Sequence, residues 1–163
     1  MDQTKEIIEM TLPAKAQYVG VVRLTVSGIA NRLGFHYDDI EDMKLAVAEA
    51  CTNAVDHAYK KSVVKGKIGV TFFIFEDRLE VQIKDEGNSF DIAAVKKRCG
   101  PIEKHHPFAA MRERGLGLHL MEALMDRVDI YGGQGVVVSL TKYIHRDEVD
   151  SNVNSPTKTQ SNR

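Results

Sequence analysis

Hydrophobic and polar residues alternate from residue 5 to residue 12. Ile8, Met10 and Leu12 fall on one side, and Ile7, Glu9 and Thr11 on the other. That period of two predicts a half-buried strand closed by Pro13. From residue 14 to 33 the period changes. Val19, Val22, Val26, Ile29 and Leu33 recur at spacings of three and four, the stripe of an amphipathic helix. Gly34 follows as its C-terminal cap. Gly20 and Gly28 lower the helix propensity and leave room for another backbone to approach. A second helix is expected from about Asp38 to about Tyr59, with Asp38 and Glu41 at capping-box spacing. Its inward stripe is read as Ile40, Leu45, Ala48, Cys51 or Thr52, and Val55. Lysines at 60, 61, 65 and 67 around Gly66 mark a solvated turn.

Two β-rich runs follow, 67–75 and 78–84, joined by Glu76-Asp77 as a hairpin, with Phe72, Phe73 and Phe75 read as sheet core. Asp85-Glu86-Gly87-Asn88-Ser89 ends the second run, and Phe90 to Arg98 reads as a short helix. Residues 99–114 have no clean period and contain two prolines and two histidines, which predicts a long mobile loop of the functional kind. Gly115-Leu116-Gly117 opens a helix to about Met125, with Leu118, Met121, Leu124 and Met125 inward. Val128–Tyr131 and Val136–Ile144 form a second hairpin around a glycine-rich turn. The order predicts an α+β fold, a two-layer α/β sandwich with a mostly antiparallel sheet and helices on one face. One domain is expected over residues 1–145, with 146–163 a disordered polar tail.

Composition narrows the function classes. A chain of 163 residues suits one core. A net charge of −1 gives no footprint for direct nucleic-acid binding. No apolar run approaches the roughly 18–20 residues that cross a membrane, and the charged, alternating start is not a secretion signal. Cys51 and Cys99 have no framework spacing and read as free thiols in a reducing cytoplasm. Cys99, His105 and His106 match no common zinc spacing. No GxxxxGK[ST], GxGxxG after a strand, or GxSxG occurs.

Three segments carry candidate chemistry. Glu49 and Asn53, four apart, share one helix face that Asp56 and His57 extend. Alone, the pair reads as ordinary helix surface. As a site, Asn53 offers a carbonyl oxygen to Mg²⁺, and Glu49 a carboxylate that takes a proton from an attacking hydroxyl. Asp85-Glu86-Gly87 stands at a strand end. It is a turn in one reading. In the other, Asp85 accepts from an exocyclic amine such as that of adenine, and Gly87 lets the base approach the backbone. Arg114-Gly115-Leu116-Gly117 puts glycine N–H groups and the positive end of a helix where a phosphate binds, with Arg112 and Arg114 beside them.

The order and spacing of these segments resemble the N, G1 and G2 boxes of the ATP-binding superfamily that includes gyrase, heat-shock chaperones and histidine kinases. Within it, EACTNAVDHAY, DEGNSFD and RGLGLHLMEALMDRV are similar to the anti-sigma-factor serine kinases of Gram-positive bacteria, over about residues 5–144. The resemblance implies a Bergerat-type ATP site under a mobile lid. It implies a kinase that uses Mg²⁺ and ATP to phosphorylate a serine of an anti-anti-sigma protein, and that binds and sequesters a sigma factor of the sigma-B type, usually as a homodimer. The alternative is an ATP-responsive anti-sigma binding module without turnover. By position, Glu49 matches the general base and Asn53 the Mg²⁺ ligand. Asp85 and Gly87 match the adenine pocket, Gly115 and Gly117 the phosphate glycines, and Arg112 or Arg114 the lid arginine. Arg23 matches an exposed arginine that holds the sigma factor in some relatives, and equally reads as a solvated arginine. Two positions depart from the pattern: Ser89 stands where a second G1 glycine is expected, and Val136 where a threonine often follows the last turn glycine.

Overall fold

A computed structural model describes residues 3–60, 66–85, 116–132 and 136–146, leaving aside the side chains of residues 57–60 and 116. The expected short helix at 90–98, the loop at 99–114, the glycine-rich turn at 133–135 and most of the tail therefore lie outside the described residues.

Five strands form one sheet: β1 (Glu6–Pro13), β2 (Lys67–Ile74), β3 (Arg78–Asp85), β4 (Arg127–Gly132) and β5 (Val136–Tyr143). Their spatial order is β1-β2-β3-β5-β4, and every pairing is antiparallel. Pro13 is paired opposite Lys67 at the end of the edge strand β1, a position where its missing N–H is tolerated. Phe75 N–H closes the β2–β3 hairpin on the Arg78 carbonyl at 3.0 Å.

Among the described residues, three helices cover one face: α1 (Val19–Leu33), α2 (Tyr37–Lys60) and α3 (Leu116–Leu124). The region before α1, read as helix from residue 14, is a 3-10 turn at Ala16–Tyr18. Gly34 ends α1 in the left-handed conformation (φ 83°). Its N–H reaches Asn31 O, and the N–H of the buried Phe35 reaches Ala30 O, each at 3.2 Å. These two bonds satisfy carbonyls that the helix itself cannot. Gly20 and Gly28 have open space where a side chain would stand, so among the described residues no backbone uses the room they leave.

α2 packs on β2, β3 and β5, flanked by α1 and α3. Its buried positions are Ile40, Met43, Ala46, Val47, Ala50, Cys51 and Val55. The expected stripe holds at Ile40, Cys51 and Val55 and fails at Leu45 and Thr52. Leu45 lies about 140° round from Ile40 at 100° per residue and is 47% exposed, and Thr52 is also exposed. The helix starts at Tyr37, so Asp38 sits inside the first turn rather than at the cap, and Glu41 bonds to Lys44 at 2.9 Å. Of the three phenylalanines, Phe72 is in the core. Phe73 faces the other side of the sheet, half-buried, because neighbouring strand residues alternate. Phe75 lies under Arg78, whose guanidinium is 3.7 Å from its ring centre. Met121 and Met125 are buried with Leu118 and Leu124 against the same core, as the period of α3 requires.

Candidate functional site

The central helix α2 carries Glu49 and Asn53 on a half-buried flank, between the core and the first turn of α3. A Cβ placed on Gly117 would stand 3.1 Å from Glu49 Oε2 and 3.4 Å from Asn53 Nδ2. Gly117 is helical, so glycine is not required there by backbone conformation. It is required by proximity. Having no side chain lets the N-terminal turn of α3, with its exposed N–H groups and positive dipole end, come against an acid and an amide.

On the other side of Asn53 the sheet contributes Asp85, the last residue of β3 and only 4% exposed. Ala50, Asn53 and Ala54 of α2, Ile83 and Asp85 of β3, and Val136 and Val138 of β5 enclose a cavity of about 20 Å³. That is room for about one water, the floor of a pocket and not the whole of one. Its lining is apolar except for one carboxylate and one amide, with two alanines four apart on the helix side.

The structure thus brings Glu49, Asn53, Asp85 and Gly117 together from three distant segments of the chain. Gly87, Arg112, Arg114 and Gly115 lie outside the described residues. Arg23 is exposed on α1 and is not part of this cluster. The walls Ala50, Ala54, Ile83 and Val138 were not singled out from sequence, where they read as ordinary core. The alanine pair beside Asn53 was the available signal. Val136 lines the pocket, so its departure from threonine makes that wall apolar.

A larger cleft, about 450 Å³, lies on the opposite face of the sheet. Its charges are matched internally: Arg78 bonds Asp77 and Glu80 at 2.9 Å each, and Arg127 meets Asp129 at 2.6 Å. It has neither an apolar floor nor a helix terminus, so size alone does not make it the site.

Among the described residues, no three His, Cys, Asp or Glu side chains cluster as a metal cage. Mg²⁺ does not need one, because it keeps most of its waters and takes one or two protein oxygens. The Asn53 carbonyl, held against a side-chain-free helix end, has the right donor chemistry for it. Cys51, two residues from Glu49, faces the core. Burial pushes its thiol up to about 12, so it takes no part as a nucleophile.

Comparison with known proteins gives the family and the fold. The family model of the histidine kinase-like ATPase domain matches residues 12–142. The serine-protein kinase RsbW of Halalkalibacterium halodurans is 54% identical over 155 residues, 95% of this chain and 94% of that protein. The RsbW of Bacillus licheniformis is 52% identical over 150 residues, 92% of this chain and 93% of its own. Among solved structures, the RsbU and RsbW domains of a Mycobacterium tuberculosis protein superpose with a TM-score of 0.60 at 24% identity, over 87% of this chain and 33% of that one. That likeness concerns the fold.

Proposed function

The chain belongs to the histidine kinase-like ATPase family, within its RsbW group of serine-protein kinases, and from that premise we propose how its site works and on what. ATP binds with its base on the floor between α2 and β3 and its phosphates at the N-terminal end of α3. Asp85 accepts a hydrogen bond from the exocyclic amine, and Ala50, Ala54, Ile83, Val136 and Val138 pack against the ring. Asn53 spans both halves, facing the base pocket on one side and Gly117 on the other. It supplies the protein oxygen for Mg²⁺. Gly87, Gly115, Arg112 and Arg114 complete the pocket from segment 86–115.

When bound, Mg²⁺·ATP supplies the transferable phosphoryl group and neutralises its charge. Phosphoryl transfer asks little covalent chemistry of a protein, and depends on positioning and electrostatics. Glu49 holds the seryl hydroxyl of the substrate by accepting its hydrogen bond, and takes its proton as the oxygen attacks. The first turn of α3 aims N–H groups at the phosphate oxygens. The observation that supports this reading is the approach of Gly117 to Glu49 and Asn53, an acid, an amide and a helix end within one side-chain length.

The substrate is the serine of an anti-anti-sigma protein, and the same chain sequesters a sigma factor of the sigma-B type, with Arg23 on the outer side of α1 as a contact. The chain works as a homodimer in the cytoplasm. Among the described residues, no helix is long and apolar enough to cross a membrane. The test is incubation with γ-labelled ATP and the candidate anti-anti-sigma protein, with Mg²⁺ or with chelator. Label on a partner serine, dependent on Mg²⁺, is expected. A partner that binds but stays unlabelled refutes the proposed substrate.

A further inference from the structure

α3 is gripped at both ends. Its first turn carries Gly117 at the site. At its other end stands Lys142, on the helix-facing side of β5, with only 9% of its side chain exposed. Its Nζ donates to Leu124 O at 2.7 Å, the last residue of α3, and lies 3.6 Å from Asp39 and 3.9 Å from Asp126. Asp39 is in the first turn of α2. Asp126 is itself held: its Oδ2 accepts from Tyr143 N–H at 2.7 Å, and its own N–H donates to Thr141 O at 3.0 Å.

The ammonium has three partners, one hydrogen-bonded and two at ion-pair distance. One is an end carbonyl that the helix cannot satisfy, where a cation also complements the dipole. The arrangement joins the C-terminal end of α3 to the N-terminal end of α2. The two helices run antiparallel, since Gly117 meets Glu49 and Asn53 while Leu124 meets the neighbourhood of Asp39. From Asp39 to Glu49 is about 15 Å along α2, and from Leu124 to Gly117 about 10 Å along α3, at 1.5 Å per residue. Short helices are stiff over such lengths, so the axial position of α3 at Lys142 carries through to the gap at Gly117.

We infer that Lys142 is a positioning residue for the nucleotide site: by tying α3 to α2 and β5 at the far end, it fixes how closely the first turn of α3 approaches Glu49 and Asn53. This rests on the reading of the Gly117 end as the phosphate end of an ATP site. No motif points to Lys142, whose partners come from two separate segments of the chain, around Asp39 and at 124–126.

The test compares Lys142→Met with Val26→Ala, a core truncation between α1 and α2 that lowers stability without touching α3. Mg·ATP affinity is measured by calorimetry well below the Tm of each protein, and hydrogen exchange at the amides of residues 117–120 by mass spectrometry. Lys142→Met is expected to weaken Mg·ATP binding at least fivefold and to speed exchange in the first turn of α3. Val26→Ala is expected to leave both within twofold. Lys142→Met within twofold of wild type overturns the inference, as does an equal loss in Val26→Ala at a matched Tm. Should Lys142→Met fail to fold, Asp39→Asn decides by the same exchange measurement, and unchanged exchange there overturns the inference. If the wild-type chain itself does not bind Mg·ATP, the reading of the site fails, and not only the role of Lys142.

Discussion

Gly117→Ala adds one methyl group and separates stability from function. The new carbon would stand 3.1 Å from Glu49 Oε2, tighter than nine in ten real contacts of its kind, and 3.4 Å from Asn53 Nδ2, an ordinary contact distance. The first neighbour is the tip of a flexible side chain, so Glu49 yields by a few tenths of an ångström and the fold survives. Gly117 is helical, so alanine there gains up to about 1 kcal/mol in propensity and lost chain entropy. For a domain of this size, that raises Tm by roughly 2–4 °C. The site responds in the opposite sense. A misplacement of about 1 Å can cost on the order of a hundredfold in rate. A displacement of a few tenths, together with a methyl between the helix end and the phosphate, should lower kcat/KM about tenfold or more, or at least about 1.4 kcal/mol. The assay is steady-state transfer to the protein substrate beside a thermal melt. Unchanged or raised Tm with a tenfold loss supports the geometry. Wild-type kcat/KM with wild-type Mg·ATP affinity refutes the argument that glycine is there to admit Glu49 and Asn53.

Two further outcomes concern α1 and α2. Gly20→Ala and Gly28→Ala meet open space on a helix, so each should raise Tm by a few degrees, from about 0.5–1 kcal/mol, while Mg·ATP affinity measured by calorimetry stays unchanged. Burial raises Cys51 from its ordinary 9.0 to about 12, so above pH 9 the unfolded chain loses this proton before the folded one does. Stability should therefore be unaffected by this group below pH 9 and fall as pH rises from 9 towards 12. Urea titrations of wild type and Cys51→Ala across that range should differ in slope, the variant showing the smaller decline.

Most of the architecture was legible because each element has one clean period. Alternation marked β1, β-rich composition around a two-residue joint marked β2 and β3, and the three-and-four spacing of Val22 and Val26 marked the buried side of α1. On α2, choosing the bulky Leu45 broke the phase. Stepping by three and four from Ile40 reaches Met43, Val47 and Ala50, the residues that are buried. Glu49, Asn53, Asp85 and Gly117 were legible as a set because a nucleotide site needs an acid, an amide and a glycine-opened helix in a recognisable order. The pocket floor was not, since Ala50, Ala54 and Ile83 have no chemistry to betray them. Lys142 was hidden for a different reason: a buried lysine is explained only by its partners, and Asp39, Leu124 and Asp126 approach it only after folding.

The central claim is that Glu49 takes the proton of the seryl hydroxyl in a site that binds ATP independently of it. The most direct measurement is Glu49→Gln under single turnover, with Mg·ATP prebound and excess protein substrate, next to calorimetric Mg·ATP affinity. The account predicts nucleotide binding within a fewfold of wild type and transfer slowed by roughly 10²–10⁴-fold, the usual scale for a lost general base. Transfer at the wild-type rate by a variant that binds ATP normally would contradict it.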